Sequence, residues 1–374
     1  MAAQEINLPL YIQSWLLDTD YSCAVVEQVY GGSVNLTFRG DLKHPLKDGT
    51  RSIILKESRG FMAAVQTIAC PLHRCLAEEL ILRSVSKEQV VSFHENVRVR
   101  TPRHYGTLLR DDSHLQIMEE LPSTRTLKDL LHYPETWLSA QQATAVGHAL
   151  GKWLFKFHHS GCDRYDPVLA KALGENSWLR DDMFPMMHTV VEQQAQDFPH
   201  LFKGVEAKII RARTDAAFMM VEEDGMALRH GDMNISNIVV SADSSDVLLG
   251  IIDWEACDYG PRQHDLGVLL AGLISVERLC HTEVAVRVLD GVLHSYPVRS
   301  EDSAFCIVAA VGAWLFLWPW WCSPPPSSPS KTRDVEGLVK FAWNLMTKGL
   351  ERDRCWINNT ILAPLFEGVE GSEK

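Results

Sequence analysis

Positive charge is in short supply. Lys and Arg number 36 against 48 Asp and Glu, a formal net charge of -12 at pH 7, which repels a phosphate backbone and disfavours nucleic acid as a partner. The signatures of several large enzyme classes are missing as well. There is no G-x-x-x-x-G-K-[ST] phosphate loop, no G-x-G-x-x-G, no G-x-S-x-G elbow and no H-E-x-x-H helix. The N-terminus, MAAQEINLPLYIQSW, lacks a basic region followed by an unbroken apolar run, so no secretory signal is expected. Nine cysteines, an odd number scattered along the chain, do not make a disulfide framework. Reduced thiols and a cytoplasmic location are the expectation. The sequons at Asn35, Asn234 and Asn358 would matter only in the secretory pathway. No internal repeat is visible.

What is present describes a folded chain. Of 374 residues, 46% are hydrophobic and 22% charged, ordinary globular usage, and the length suits two to three units or one enzyme with two large lobes. One uncharged run, Ala304 to Cys322, is nearly long enough to span a bilayer. Pro319 interrupts it, Trp314, Trp318, Trp320 and Trp321 crowd its end, and no Lys or Arg cluster flanks it. It is expected to be core, with no membrane partner.

Residues 24 to 57 predict an antiparallel meander: VVEQVY, a Gly-Gly break, VNLTFR, a polar turn, then SIILKES. A helix is predicted over Leu72 to Val85, then strand-like patches around Val97 and Leu115 to Met118. Beyond Pro122 helices dominate, at Leu127 to Leu131, Ala143 to His158, Val205 to Val221 and Leu266 to Ile274. In the second of these, Val146, Leu150, Trp153, Leu154 and Phe157 form one apolar stripe. Two short strands, Ile238 to Ser241 and Val247 to Ile252, flank the turn-rich ADSSD, and Ser323 to Ser330 (SPPPSSPS) reads as an exposed loop.

The strongest chemical signal is His230-Gly-Asp-Met-Asn-Ile-Ser-Asn237, followed by that strand pair and then Ile252-Asp-Trp-Glu255. Phosphoryl transfer needs a carboxylate to accept the acceptor hydroxyl's proton and separate oxygen ligands for magnesium. Asp232 suits the first role, Asn237 and Asp253 the second. The five-residue spacing allows one loop to face Asp232 and Asn237 toward one phosphate, and the hairpin returns Asp253 to the same place. This is the kinase catalytic-loop pattern with Gly after His in place of Arg.

The first half must then supply a phosphate clamp. Gly31, Gly32, Ser33 and Asn35 lie between two predicted strands, where backbone and small polar groups can approach phosphate oxygens. Lys56 lies in SIILKES, where its charge can reach the α and β phosphates, with Glu78 or Glu79 on the following helix to hold it. His158, His159 and Cys162 carry little weight as metal ligands, since a helix C-terminus favours histidine anyway.

Together these motifs resemble the aminoglycoside phosphotransferase and choline kinase superfamily. GGSVNLTFR, SIILKES and IIDWEACDYGPRQHDLG look especially like its methylthioribose kinase-like branch, which includes the fungal kinase acting on 4-hydroxytryptamine. The resemblance implies an α+β, two-lobed, protein-kinase-like fold: a nucleotide-binding lobe over 1–118, a hinge over 119–122 and a mainly helical catalytic and acceptor lobe over 123–374. Arg74-Cys-Leu-Ala-Glu78 matches the family's Arg-x-x-x-Glu pattern and favours Glu78 over Glu79. Met118-Glu119-Glu120-Leu121 resembles the linker that pairs its backbone with adenine, through Glu119 and Leu121, and Asp265 matches an aspartate that braces the catalytic loop.

The function implied is transfer of the γ-phosphoryl group of ATP, with Mg2+, to a small-molecule hydroxyl on an amine-bearing or aromatic metabolite. Two alternatives stand beside it: a silent nucleotide-binding scaffold, and a kinase-like fold redirected to other chemistry. The four tryptophans are expected either to wall an acceptor pocket or to pack in the core.

Overall fold

The computed structural model describes residues 7–87, 91–110, 112–122, 125–132, 138–160, 166–176, 184–221, 225–242, 246–317 and 334–369. The expected α+β organisation is present. Helix α1 (Leu8–Trp15) precedes β1 (Cys23–Val29), β2 (Leu36–Leu42) and β3 (Ser52–Arg59), and α2 (His73–Lys87) follows. Strands β4 (Ser92–His94), β5 (Val97–Arg100), β6 (His104–Arg110) and β7 (Ser113–Glu119) complete the first third.

The first sheet runs β1-β2-β3-β7-β6, antiparallel throughout. Successive side chains of a strand face opposite ways. On β3, Ile53 and Leu55 therefore enter a small core with Ile12, Trp15, Leu16 and Phe38, while Ile54 packs against the larger core and Lys56 meets α2. This alternation aims the lysine at the site.

The second sheet runs β4-β5-β11-β10-β8, built from β8 (Arg125–Thr126), β10 (Ile238–Ala242) and β11 (Val247–Ile251). Strand β5 pairs in parallel with β11, Val97 opposite Val247. The sheets thus do not divide at the expected hinge, since β4 and β5 precede it in sequence yet join strands from the second half. A β9–β12 pair (Met226–Arg229, Asp258–Pro261) brackets the segment from His230 to Cys257.

Helices α3 (Leu127–His132), α4 (Ala140–His158), α5 (Pro167–Glu175), α6 (Phe184–Asp197), α7 (Ala207–Met219), α8 (Gln263–Cys280), α9 (Glu283–Ser295), α10 (Glu301–Leu317), α11 (Val335–Leu350) and α12 (Arg354–Ile357) make up the rest. Ser139 and Gln142 form a reciprocal capping box at the start of α4, satisfying amides the first turn would orphan. The predicted stripe of α4 is buried from Val146 to Phe157. The helix approaches α9 so closely that a Cβ on Gly147 would lie 2.2 Å from the Val288 carbonyl oxygen.

Helix α10 is buried from Ser303 to Leu317, so that part of the apolar run is core. Among the described residues no helix is long and apolar enough to cross a membrane. Trp314 is core too, edge-on to Phe218 at 5.2 Å. Trp318, Trp320, Trp321, the SPPPSSPS segment and Cys162 lie outside the described residues. No disulfide joins two of the seven described cysteines.

Candidate active site

The loop from His230 to Asn237 begins where β9 ends. Gly231 has φ +83°, and a Cβ there would lie 2.0 Å from the Ala256 carbonyl oxygen, so only glycine makes this turn. Buried Asp265, in the first turn of α8, accepts the backbone N–H groups of His230 (2.7 Å) and Gly231 (3.0 Å). Behind it stands a second layer: His158 Nε2 lies 3.1 Å from Asp265, and His158 Nδ1 lies 2.9 Å from the Tyr296 hydroxyl. Burial disfavours the Asp265 carboxylate, but His158 and the backbone donors prevail and hold its pKa below the ordinary value. The predicted brace is thus in place, and His158, expected as a mere helix end, belongs to it.

Beyond the turn, Asp232 accepts from Asn234 Nδ2 (2.8 Å) through one oxygen and from Asn237 Nδ2 (2.9 Å) through the other. The His230 ring lies under the loop. Its Nε2 is 2.9 Å from the Ile252 carbonyl, and its Nδ1 accepts from the Asp232 N–H, a pattern that assigns the proton to Nε2. Burial, reinforced by nearby Asp253, pushes the Asp232 carboxyl above its ordinary pKa despite the two amide hydrogen bonds. An aspartate so placed is a stronger base than one in water.

Strands β10 and β11 pair Ile238 with Ile251 and return the chain to this loop. Asp253 follows with φ +66°, uncommon for a residue with a side chain, and two contacts from α2 hold its surroundings. Glu78 Oε1 accepts the Trp254 N–H at 3.1 Å, and Arg74 Nε donates to Glu255 at 3.0 Å. Arg74 and Glu78 stand one helical turn apart on one face of α2.

Lys56 joins the two halves. Its ammonium lies 2.8 Å from Glu78, 2.5 Å from Asp253 and 3.8 Å from Glu255. Burial alone would lower the lysine's pKa, but these three carboxylates hold it well above the ordinary value. Burial likewise works against Asp253, whose carboxyl is nevertheless held below its ordinary pKa, chiefly by Lys56. The choice between neighbouring glutamates is now decided by contact: Glu78 holds Lys56, while Glu79 bonds Arg83 and Thr107.

A family profile described as "Phosphotransferase enzyme family" matches residues 71–301, more than half of the chain. The chain belongs to that family. It is 24% identical over 365 residues to phosphotransferase FrzJ of Cladobotryum sp, covering 93% of each chain. It is 25% identical over 309 residues to the 4-hydroxytryptamine kinase of Psilocybe cyanescens, covering 81% of this chain and 82% of the relative. Among solved structures it is similar to aminoglycoside phosphotransferase APH(3'')-Id from Streptomyces rimosus, with 18% identity, 83% of this chain and 97% of that one covered, and a TM-score of 0.46. The family profile and the two relatives bear out the resemblance drawn from the motifs.

The remaining expected residues divide. Gly31, with φ +135°, Gly32 and Ser33 are exposed, and their amides donate to no acceptor among the described residues. Their turn is tied back through the Ser33 and Val34 carbonyls, which accept from Ala64 and Ala63. Asn35 is placed differently from the expectation that it faces phosphate. It is buried, donates to Glu255 Oε2 (2.7 Å) and accepts from Arg74 (2.9 Å).

At the expected hinge, the Glu119 N–H is spent on the Arg103 carbonyl and its carboxylate on Arg100. The Leu121 side chain packs against Gly250. Arg74, Glu255 and Asn176, whose Nδ2 donates to the Glu255 and Cys257 carbonyls, were not expected as site residues. The local signs were the arginine of the Arg-x-x-x-Glu pattern and a second acid two positions after Asp253; nothing local pointed to Asn176.

Proposed function

We propose that this phosphotransferase moves the γ-phosphoryl group of ATP to a hydroxyl of a small molecule. The observation that carries the reading is the convergence of Lys56, Asp232, Asn237 and Asp253 from both halves of the chain: Lys56 bonds Asp253, Asn237 bonds Asp232, and the β10–β11 pair brings the two acids near each other. Asp232 accepts the proton of the acceptor hydroxyl, with Asn234 and Asn237 fixing its two oxygens. Lys56, aligned by Glu78, places its charge toward the nucleotide phosphates, and the amides of Gly31 to Ser33 supply donors on the opposite side. Glu120 and Leu121, whose backbone groups are hydrogen-bonded to no other described residue, are the hinge positions left for the adenine edge.

The donor set suits magnesium. Asn237 spends its amide nitrogen on Asp232, and Asp253 spends one oxygen on Lys56, so each retains an oxygen without a partner among the described residues. Such hard oxygens are what this cation takes. When bound, the ion neutralises phosphate charge during transfer. The acceptor is proposed to be an amine-bearing or aromatic alcohol, supported by the acidic balance of the chain and by the relative named for 4-hydroxytryptamine.

Roles are separated by Asp232→Asn. This variant should lose phosphoryl transfer by at least a hundredfold, the order assigned to general-base catalysis, while its affinity for Mg-ATP changes less than threefold. Near-normal turnover would overturn the assignment.

A further inference from the structure

Asn35 stands two residues past the exposed Gly31-Gly32-Ser33 turn, yet its side chain points away from any role on phosphate. Both polar atoms are committed inside the protein, the amide nitrogen to Glu255 Oε2 and the amide oxygen to Arg74. All three side chains are more than nine-tenths buried. Arg74 also donates to the carbonyls of Cys70 (2.7 Å) and Pro71 (2.8 Å), which fixes the entry of α2. Glu255 accepts from Asn35 and Arg74 on the same oxygen and lies two residues after Asp253. Three segments that are remote in sequence therefore meet at one carboxylate: the glycine turn, α2 and the stretch carrying Asp253.

We propose that Asn35 is a positioning residue that sets the glycine turn relative to Asp253 through Glu255 and Arg74, so that phosphate cover and metal ligand are held in register before nucleotide arrives. The proposal rests on the nucleotide-site reading above and adds a residue that touches neither nucleotide nor acceptor. Its physical basis is pre-organisation: a turn ordered in the free protein has less freedom to lose on binding. Without the latch, a turn of two exposed glycines and a serine would be held only through the Ser33 and Val34 carbonyls, and would have more freedom to lose when phosphate binds.

The donor and acceptor senses of this contact supply the test. Asn35→Ala should weaken calorimetric binding of Mg-ADP about tenfold, the order of one hydrogen bond to a charged group, and should speed amide hydrogen exchange over residues 31–34 in the nucleotide-free protein. Acceptor KM should change less than twofold. Asn35→Asp should be worse than alanine, because it sets a second carboxylate against Glu255. Adding Glu255→Gln removes that repulsion and lets position 255 donate to position 35, but it takes from Arg74 Nε the acceptor it had there, so Mg-ADP affinity should rise clearly above that of Asn35→Asp without reaching wild type.

A residue that bonded phosphate directly would not be rescued by a change at position 255. The proposal is overturned if Asn35→Ala melts cooperatively yet keeps wild-type affinity and wild-type exchange, or if the exchanged pair shows no recovery. Should alanine abolish the cooperative melt, the Asp/Gln exchange decides alone. A wild-type chain that binds no Mg-ADP refutes the nucleotide site itself, and hydrogen exchange over 31–34 then still shows whether Asn35 fixes the turn.

Discussion

Replacing Asp265 with asparagine removes a charge and one acceptor while leaving the shape of the side chain unchanged. In the native chain two oxygens receive two backbone donors, His230 N–H at 2.7 Å and Gly231 N–H at 3.0 Å, and His158 Nε2 approaches at 3.1 Å. An asparagine offers one oxygen, so one backbone N–H must face an NH2 group in a fully buried place. Loss of a charge-assisted hydrogen bond is about 2 kcal/mol and an orphaned buried donor roughly another 2 kcal/mol, giving about 4 kcal/mol in all. The loop that carries Asp232 can relieve this only by moving. A shift of about 1 Å in a reacting group lowers a rate on the order of a hundredfold.

Thermal unfolding, amide exchange at His230 and Gly231 and kcat at saturating substrates form the assay. Asp265→Asn should unfold at markedly lower temperature, lose protection at both amides and lose about two orders of magnitude in kcat, with Mg-ATP binding largely retained. His158→Ala should be strongly non-additive with it, since the two share a hydrogen bond. A folded Asp265→Asn protein within about 1 kcal/mol of wild type, with both amides still protected, would refute the brace.

Three further outcomes follow from the same geometry. Gly231→Ala should reduce turnover at least as severely, because the new methyl group meets a backbone carbonyl, and an active, normally stable variant would contradict the turn assignment. Glu78→Gln should raise the KM for ATP about tenfold or more through loss of the charged partner of Lys56, whereas Glu79→Gln should leave it within twofold. Equal effects from the two would erase the distinction. Burial and the neighbouring Arg229 push the His264 pKa down to about 3. The unfolded chain, with an ordinary histidine near 6.5, then binds a proton that the folded chain refuses, so stability is lost as pH falls below about 6.5, by about 1.4 kcal/mol per unit, or roughly 2 kcal/mol by pH 5. Asp265 does not enter this window, because its depressed pKa contributes fully above the ordinary carboxylate value. Denaturant melts across pH 7.5 to 5 should show a shallower slope for His264→Gln, and an unchanged slope would remove His264 as a cause.

Local spacing made much of the site legible. Asp232, Asn237 and Asp253 are set by one loop and one hairpin, and such short-range geometry is written directly in the residue order. Lys56 could be placed because strand alternation allows only two faces. What escaped depends on contacts that no spacing encodes. Asn35 was expected on phosphate, but its partners lie 220 and 39 residues away. His158 reads as a helix end until α8 and α9 bring Asp265 and Tyr296 to it. Strands β4 and β5 precede the expected hinge, and only the parallel pairing of β5 with β11 shows which sheet they join. The acceptor side was the least legible, since three of the four tryptophans considered for it lie outside the described residues and the fourth is core.

The most direct test of the account is a balance of phosphoryl groups. Purified protein with Mg-ATP and a panel of hydroxylated amines, indoles, choline-like alcohols and sugars should release one ADP for each acceptor that gains the mass of one phosphoryl group. Asp253→Ala should abolish both signals together. ADP release that no acceptor stimulates, with no phosphorylated product in the mass spectrum despite measurable ATP binding, would contradict the assignment of this site to phosphoryl transfer onto a small-molecule hydroxyl.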